Sequence, residues 1–396
     1  MEFTKNQAKA LDICIERFRE GKKYTTISGY AGSGKTTILR YIIEALGQLG
    51  VNPYMDVAYC AYTGKAAQVL KNKGCYNAQT AHRLLYDSVP LHNGGFKHIP
   101  KKILPYKVIV VDECSMLPNS MLKILLTHNV YIIFSGDPGQ LPPINPKEAN
   151  TLLAAPHIFL DEITRQALDS GIIRLSMLIR EGQSFNNFES NDAKIFSKNE
   201  FVTGHLEWAD QILCATNNTR ISINNECRRL RGYTKPIEEG EKIVCLSNHW
   251  DVVNSQGSAL TNGCIGTLSN IFDSRVAYPF YMGVPNNRID TVMGNFTTEF
   301  GEDFGSLEME RFCIENGTSE IAPELKYKIC GNPKYRDSYP LDFTYAYAMT
   351  CHRAQGSQWD NVLVIEENFP FSKVDHIKWL YTACTRPSSK LVLIRK

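Results

Sequence analysis

YTTISGYAGSGKTTILR, residues 24–40, joins a short strand pattern to a glycine-rich loop and the start of an apolar helix. Gly29 to Thr36 match G-x-x-x-x-G-K-[ST], the spacing of a phosphate-binding loop. Its glycines let backbone N–H groups and the helix N-terminus face phosphates, while Lys35 neutralises them and the Thr36 hydroxyl suits Mg²⁺. A merely flexible loop is the alternative, and the flanking strand and helix argue against it. The pattern predicts a binding site for a nucleotide such as ATP. The residues predicted to bind it are Gly29, Tyr30, Ala31, Gly32, Ser33, Gly34, Lys35, Thr36 and Thr37.

Composition narrows the class of protein. The chain has 396 residues, of which 43% are apolar, so it can form two or three domains with substantial cores. The net charge of +2 excludes a global basic field, and any nucleic-acid surface must be local. The twelve cysteines are scattered without a C-x-x-C pair, which indicates reduced core thiols. No apolar run approaches a membrane span and no signal peptide is evident, so we expect a cytoplasmic protein with no membrane contact.

The order of strand and helix patterns predicts an α/β fold with parallel sheets. Strand and helix signals alternate up to residue 185, apart from a turn at Asn93-Gly94-Gly95 that indicates an inserted hairpin. The polar stretch 182–199 indicates a domain junction. From about residue 261 to 337 the pattern changes to short strands punctuated by Gly, Asn and Pro, which favours an antiparallel β module. Alternation then returns from 341 to 396.

Two further strand ends carry chemistry. Asp112 and Glu113 follow the apolar run 108–111, at the edge where a parallel sheet binds ligands. Asp112 can hold Mg²⁺ and Glu113 can activate the attacking water, whereas two solvated acids at a strand end are the simpler alternative. The next strand ends in GDPGQLPP, residues 136–143, where Gln140 can sense the terminal phosphate on a loop stiffened by proline.

Together these segments resemble the superfamily 1B helicases of the RecD and Dda type. Lys35-Thr36, Asp112-Glu113-Cys114-Ser115 and residues 136–143 resemble motifs I, II and III, and the last is the most specific. Further similar segments follow in the family's order: Thr4-Lys5-Asn6-Gln7 (Q motif), residues 62–67 (Ia), residues 80–84 (Ib), Thr164-Arg165 (IV), residues 350–357 (V) and residues 381–386 (VI).

The resemblance implies two RecA-like motor domains of the P-loop NTPase type, with ATP and Mg²⁺ between them. The first domain would comprise residues 1–85 and 106–185, and the second residues 186–260 and 338–396. A small pin hairpin, residues 86–105, would be inserted in the first domain. An SH3-like β module, residues 261–337, would be inserted in the second, where Tyr278, Phe280 and Tyr281 could form either core or contact surface.

The resemblance also assigns nucleotide contacts outside the loop. Gln7 would contact adenine, although Thr4 and Gln7 also read as a capping box that begins the first helix. Gly356 would lie at the nucleotide. Arg165 and Arg386 would act as arginine fingers, because a guanidinium stabilises charge that develops on the γ-phosphoryl oxygens. A local role at a helix C-terminus is the alternative for Arg386, and the following Pro387 restricts its backbone.

DNA contacts follow only from the resemblance, which implies a single strand crossing both motor domains. The hydroxyl, amide and imidazole side chains suit phosphate contacts, but each hydroxyl could equally be a helix cap and each histidine a structural residue. Phe96, just past the hairpin turn, could stack on a base pair or pack on its own domain. Arg353 stands where this branch often has lysine. The other implied contacts are Thr63, Lys65, Thr80, His82, Asn217, Thr350 and His352.

These features predict an ATP-dependent helicase that moves 5′-to-3′ on single-stranded DNA and unwinds forks or tailed duplexes. We expect a monomer in the cytosol of a bacterium, or of the host if a phage encodes it, with single-strand-binding or replication proteins as possible partners. A translocase that displaces proteins is one alternative, and a small-molecule kinase is another. Two finger arginines and a second α/β unit argue against the kinase. Glu113 argues against a binding module that hydrolyses nothing.

Overall fold

The computed structural model describes residues 3–395, except 76, 91–95, 144, 165–166, 168, 256–257, 333, 336–337 and 369–371. Helices within this part of the chain are α1 (Lys5–Arg19), α2 (Lys35–Gly47), α3 (Gly64–Asn72), α4 (Ala81–Leu85), α5 (Asn119–Leu125), α6 (Gly171–Arg180), α7 (Gly204–Trp208), α8 (Asn217–Leu230), α9 (Arg311–Asn316), α10 (Pro323–Cys330) and α11 (Lys373–Cys384). Among these helices, none combines the length and apolar character needed to cross a bilayer.

The strands, in chain order, are β1 (Tyr24–Gly29), β2 (Val57–Ala61), β3 (Ala78–Thr80), β4 (Tyr86–Pro90), β5 (Phe96–Pro100), β6 (Val108–Val111), β7 (Tyr131–Gly136), β8 (Ile158–Leu160), β9 (Ala193–Ser197), β10 (Gln211–Cys214), β11 (Lys242–Cys245), β12 (His249–Val253), β13 (Ala259–Leu260), β14 (Ile265–Ala277), β15 (Arg288–Thr298), β16 (Asp303–Glu310), β17 (Phe343–Tyr345), β18 (Ala348–Thr350), β19 (Trp359–Ile365) and β20 (Pro387–Arg395). The chain divides into two compact units. The first comprises Met1–Tyr86, Pro100–Ala215 and Cys351–Lys396, and the second comprises Asp87–Ile99 and Thr216–Thr350.

A six-stranded sheet in the order β3-β2-β6-β7-β1-β8 forms the first part of unit 1. Its pairings are parallel. Because parallel strands share one carboxyl edge, the segments that follow β1, β6 and β7 emerge on the same side of the sheet. These segments are the phosphate loop, Asp112-Glu113 and the loop that begins at Asp137.

Helices cover both faces of this sheet, which explains why its strands are apolar without alternation. Val108 and Val110 of β6 pack in one core cluster with Ile38 and Ile42 of α2. Ile109 and Val111 pack in a second cluster on the other face, together with side chains of α4 and α5. The residues of β6 are at most 1% exposed, and a charge there would have no partner.

A second parallel sheet completes unit 1 in the order β10-β19-β20-β9. Helix α11 runs beside it and buries Trp379, which is 0% exposed, and Tyr381, which is 1% exposed. The predicted α/β class with two parallel sheets is confirmed. The assignment of the hairpin and the β module as particular family insertions stays a prediction, as do the bounds of the four predicted domains.

Unit 2 contains a five-stranded antiparallel sheet in the order β16-β15-β14-β11-β17. The expectation of short strands is wrong here, because β14 has 13 residues and β15 has 11. Asn270, with φ of 52°, lies at an irregularity in their pairing between Ser269 and Phe272, so the strand bends at this point and continues. Tyr278 is 4% exposed and belongs to the core, whereas Phe280 and Tyr281 are exposed.

Strands β4 and β5 pair with each other as a separate two-stranded sheet. The predicted turn residues Asn93, Gly94 and Gly95 lie outside the described part of the chain.

Candidate nucleotide-binding site

The phosphate loop begins where β1 ends and leads into α2. Gly32 and Gly34 have φ of 80° and 76°, in the left-handed region that favours glycine. A Cβ on Gly34 would lie 2.4 Å from Gln7 Nε2, and one on Gly29 would lie 2.6 Å from Ser33 Oγ. The glycine spacing is therefore required by both backbone conformation and close packing.

Lys35 is the first residue of α2, and its ammonium turns back over the loop. Its Nζ donates hydrogen bonds to the carbonyl oxygens of Gly29, at 2.7 Å, and Tyr30, at 3.0 Å. The Tyr30 ring in turn lies under the Arg180 guanidinium, with Cζ 3.6 Å from the ring centroid. The Lys35 ammonium thus lies within a loop whose backbone N–H groups are positioned to donate hydrogen bonds to an anion such as phosphate.

Asp112 and Glu113 follow β6 at the edge next to this loop. The Glu113 backbone N–H donates to Asp112 Oδ1 at 3.0 Å. Burial, and then the adjacent Glu113 carboxylate, raise the pKa of Asp112. Glu113 has φ of 49°, which is unusual for a residue with a side chain, and its Oε2 is buried with no hydrogen-bond partner among the described residues. This oxygen is therefore available to a ligand or a water molecule.

Asp137 and Tyr381 connect the loop after β7 to helix α11. The Tyr381 hydroxyl donates to Asp137 Oδ2 at 2.7 Å and accepts a 2.8 Å bond from the Ala31 N–H of the phosphate loop. Gly139 N–H donates to the other oxygen, Asp137 Oδ1, at 2.8 Å. Burial raises the pKa of Asp137, and burial followed by the nearby Asp137 raises that of Tyr381.

Two more hydrogen bonds hold the same loop. Leu141 N–H donates to Thr382 Oγ1 at 2.9 Å, and Gln355 Nε2 donates to the Leu141 carbonyl at 2.8 Å. Gln140, the residue before Leu141, is 6% exposed, and its Oε1 has no hydrogen-bond partner in the described structure. The loop that carries Gln140 is thus fixed by its neighbours while the amide oxygen stays available.

Arg386 follows α11 by two residues and is 4% exposed. Its Nε donates to the Thr382 carbonyl at 3.0 Å, and Nη1 donates to the Ser357 carbonyl at 3.4 Å. Gly356 has φ of 76°, and a Cβ there would lie 2.6 Å from Ala66 Cβ, so the chain approaches α3 closely at this point.

A cleft of about 350 Å³ collects these elements in unit 1. The predicted residues that line it are Tyr30, Ala31, Gly32, Gly34, Lys35, Thr36, Thr37, Asp112, Glu113, Gln140, Gly356 and Arg386. Sequence reasoning gave no role to Asp137 or Ile173, which also line the cleft, or to Tyr381. The signal for Tyr381 was present, because a tyrosine inside the apolar run WLYTAC needs a partner for its hydroxyl once it is buried.

Gln7 forms the predicted capping box with Thr4 at the start of α1. Its Oε1 accepts from Thr4 N–H at 3.1 Å, and its Nε2 donates to the Ser33 carbonyl at 3.1 Å. The side chain therefore braces the phosphate loop, and contact with adenine stays a prediction. Arg165 lies outside the described residues, whereas Thr164 before it donates both its N–H and its hydroxyl to the Gly32 carbonyl.

Several of the residues predicted to contact DNA have local partners in the described part of the chain. Thr63 and Thr80 cap α3 and α4 by accepting from Ala66 N–H and Arg83 N–H. Asn217 accepts from Arg220 Nε at 3.2 Å, in the other unit. Half-buried Thr350 is the last residue of β18 in that unit, and Phe96 begins β5.

The two histidines and Lys65 lie in unit 1. The His82 ring centroid is 6.0 Å from that of Tyr62 and 6.1 Å from that of Tyr86. Burial lowers the pKa of His352. Lys65 is 6% exposed, with Nζ 4.1 Å from the Trp359 ring centroid, so its ammonium packs against an indole. DNA contact by these residues stays a prediction.

Comparisons with known proteins agree with this geometry. A family model described as an AAA domain matches residues 2–199, half of the chain, and one described as a UvrD-like helicase C-terminal domain matches residues 345–394. The ATP-dependent RecD2 DNA helicase of Deinococcus radiodurans is 25% identical over 404 residues, covering 97% of this chain and 48% of that protein. The ATP-dependent DNA helicase dda of phage T4 is 32% identical over 162 residues, covering 39% of this chain and 36% of that protein.

This chain thus spans about half or less of the length of these two relatives. A crystal structure of Pif1 helicase from Bacteroides, in complex with ADP-AlF3 and single-stranded DNA, superposes with a TM-score of 0.54. It is 16% identical, and the match covers 99% of this chain and 92% of that one, which shows a common fold.

The parallel sheet, the phosphate loop after β1 and the acidic pair after β6 define a P-loop NTPase. The chain belongs to the AAA-domain family and to the superfamily 1B helicases of the RecD and Dda type.

Proposed function

We propose that this protein is an ATP-dependent DNA helicase that translocates 5′-to-3′ on single-stranded DNA and unwinds forked or tailed duplexes. The observation that carries the proposal is the cleft of unit 1, where the phosphate loop, Glu113, Gln140 and Arg386 lie together. The names of the RecD2 and dda relatives, both ATP-dependent DNA helicases, support the choice of activity and substrate.

The residues of the cleft suit hydrolysis of the terminal phosphate of ATP. Glu113 Oε2, buried without a partner among the described residues, would accept a proton from the attacking water. Lys35 would exchange its loop carbonyls for phosphate oxygens, and Arg386 would stabilise charge that develops on the transferred group. Thr36 and Asp112 would hold Mg²⁺, which would neutralise phosphate charge when bound. The oxygen donors of these two side chains fit that ion.

Coupling to DNA would pass through the loop that carries Gln140. This loop is hydrogen-bonded to α11 through Thr382 and to segment 351–357 through Gln355. A change at the γ-phosphate would therefore shift both segments, and with them His352. Alternate closing and opening of the cleft would give directional movement along the strand.

The test is steady-state ATP hydrolysis with and without single-stranded DNA, in wild type, Lys35→Ala and Glu113→Gln. We expect strong stimulation by DNA in wild type and loss of turnover in both variants. Glu113→Gln should still bind ATP, because the amide keeps the size of the side chain but cannot accept the proton. An ATP hydrolysis rate that is the same with and without DNA would contradict the proposal. It would point to a different substrate, such as a small molecule that accepts the phosphoryl group.

Duplexes with a 5′ or a 3′ single-stranded tail then determine polarity, and unwinding of the 5′-tailed substrate is expected. Phe96→Ala separates a helicase from a translocase. Loss of unwinding with translocation intact supports a strand-separating role for the hairpin, whereas equal unwinding by wild type and variant contradicts it.

A further inference from the structure

A buried cluster in unit 2 takes no part in the nucleotide site. Glu310 ends β16, Cys313 lies in α9, and Asp342 comes directly before β17. One carboxylate oxygen from each acid and the Cys313 Sγ all lie within 4.8 Å of one another. The three residues are 0%, 1% and 6% exposed. Two acids and a thiol are therefore gathered in the interior of one unit, where unpaired charge is costly.

Among the described residues, each of the two carboxylates accepts its hydrogen bonds through one of its oxygens. Glu310 Oε1 accepts from the Glu320 N–H at 2.8 Å, and Asp342 Oδ2 accepts from Ser247 Oγ at 2.9 Å and from Lys326 Nζ. Glu310 Oε2 and Asp342 Oδ1 are buried with no hydrogen-bond partner in the described part of the chain. Carboxylates that ligate a metal have this arrangement, in which one oxygen is oriented by a donor and the other faces the ion.

The third donor of the cluster is the Cys313 thiol. Burial raises the pKa of Cys313 to about 12, with Asp342 and Glu310 adding to the rise, while a hydrogen bond from the Phe343 backbone lowers it. A metal ion would overcome this shift, because a coordinating thiol loses its proton. Lys326 forms an ion pair with Asp342, but the described residues place no cation within 4.0 Å of Glu310. A divalent ion would balance the Glu310 carboxylate and the Cys313 thiolate.

We propose that Glu310, Cys313 and Asp342 bind a zinc ion, with water completing the coordination. Thiolate with carboxylate oxygen is a donor set suited to zinc, which takes four ligands without a geometric preference of its own. Binding transfers the Cys313 proton, and any proton on Glu310, to solvent. The ion would join β16, α9 and the segment before β17, and its role would be structural. This site is independent of the helicase proposal.

The test uses the full chain, purified without chelator and then exchanged into Co²⁺, which reports its ligands by absorption. We expect one equivalent of zinc in the purified protein and, with cobalt, tetrahedral d–d bands together with a thiolate-to-cobalt charge-transfer band. Cys313→Ser should lose the charge-transfer band. Cys330→Ser, which changes a half-buried thiol of the same unit, should keep it. The proposal is overturned if the wild-type protein holds no stoichiometric metal. It is also overturned if the charge-transfer band is lost in Cys330→Ser and kept in Cys313→Ser.

A proton shared between Glu310 and Asp342 is the competing explanation, and Glu310→Gln separates the two. The amide resembles a protonated carboxyl, so a shared proton predicts that the variant and wild type unfold at the same temperature with or without chelator. Zinc binding predicts at least a tenfold loss of zinc affinity in Glu310→Gln and a chelator-induced drop in unfolding temperature in wild type alone. ATP hydrolysis plays no part in either readout, so failure here leaves the proposed function untouched.

Discussion

Tyr381 and Asp137, which are 244 residues apart in the chain, share a hydrogen bond of 2.7 Å inside the first unit. The same hydroxyl accepts from Ala31 N–H in the phosphate loop. One side chain on α11 thus contacts both the loop that receives the phosphates and the loop that carries Gln140. Since Arg386 follows α11 by two residues, the helix that places this arginine is fixed to both loops.

Replacing Tyr381 with phenylalanine tests this link. We expect kcat for DNA-stimulated ATP hydrolysis to fall at least about tenfold, which corresponds to an activation free energy higher by about 1.4 kcal/mol. The change in KM for ATP should be smaller. The free energy of unfolding should fall by about 1–3 kcal/mol, because the Asp137 carboxylate would then keep, among the described residues, only the bond from Gly139 N–H. The measurements are steady-state kinetics and denaturant unfolding of the same preparation.

Tyr131→Phe is the matched control for that variant. Tyr131 is 5% exposed in β7 and bonds Thr25 Oγ1 and the Cys14 carbonyl, away from the cleft. It should show a similar loss of stability and normal turnover. Equal kinetic losses in both variants would mean that Tyr381 acts through stability alone.

Gly356→Ala should weaken both stability and turnover. An L-residue at φ of 76° costs about 1–2 kcal/mol, and the added Cβ would also meet Ala66 Cβ at 2.6 Å. Gly182→Ala has the same kind of backbone cost at φ of 66°, but its nearest neighbour is 4.0 Å away. Denaturant unfolding should therefore show a loss larger by about 1–3 kcal/mol in Gly356→Ala. If the two variants lose the same free energy of unfolding, α3 shifts to accommodate the new methyl group at no measurable cost.

Lys65 and Trp359 should be energetically coupled. A double-mutant cycle with Lys65→Met and Trp359→Leu should give a coupling free energy of about 0.5–2 kcal/mol, because the ammonium lies 4.1 Å from the indole centroid. The implied DNA contact of Lys65 also predicts a weaker salt dependence of single-stranded DNA binding in Lys65→Met, with a slope reduced by about one. An unchanged slope would contradict a phosphate contact by Lys65.

Asp192 should make stability depend on acidic pH. Burial acts to raise its pKa, but hydrogen bonds from Ser170, Ser190, Ile172 and Gly171 outweigh it and lower the pKa. A carboxyl whose pKa is lowered in the folded state adds stability above its unfolded-state pKa, and this contribution disappears as pH falls through the folded-state value. The window therefore lies below about pH 4.

The variant for this window is Asp192→Asn, with exposed Asp169→Asn as its control. At pH 7 we expect Asp192→Asn to unfold more easily by about 1 kcal/mol, since Asp192 accepts N–H bonds at the start of α6. The difference from wild type should shrink as the pH is lowered from 5 to 3. A difference that stays constant over this range would show that the charge of Asp192 does not matter.

The parts of the site that sequence predicted are those set by local chemistry. The phosphate loop follows from glycine conformations and one lysine within eight residues, and the acidic pair follows from its place after a buried strand. Arg386 was placed at the nucleotide by resemblance, and the structure brings it to the cleft with its Nε on the Thr382 carbonyl.

Contacts between residues that are far apart in the chain could not be predicted from the sequence. The partner of Tyr381 and the indole against Lys65 depend on how two sheets pack within unit 1, and no spacing in the chain encodes that packing. The long β14–β15 pair was missed for a different reason. Asn and Gly within these strands read as turn signals, but the structure accommodates Asn270 as an irregularity in a continuous ladder.

The ammonium of Lys35, bonded at 2.7 and 3.0 Å to carbonyls of its own loop, sets a condition on nucleotide affinity. A triphosphate does not meet a free cation but competes with two backbone acceptors for it. Binding therefore replaces the hydrogen bonds from the Lys35 ammonium to its loop carbonyls with contacts to phosphate oxygens. Only the difference between these two sets of contacts contributes to the free energy of nucleotide binding. When phosphate departs, the lysine regains its former partners. Such an exchange favours release of the product over its tight retention, which is the balance that the proposed motor cycle requires.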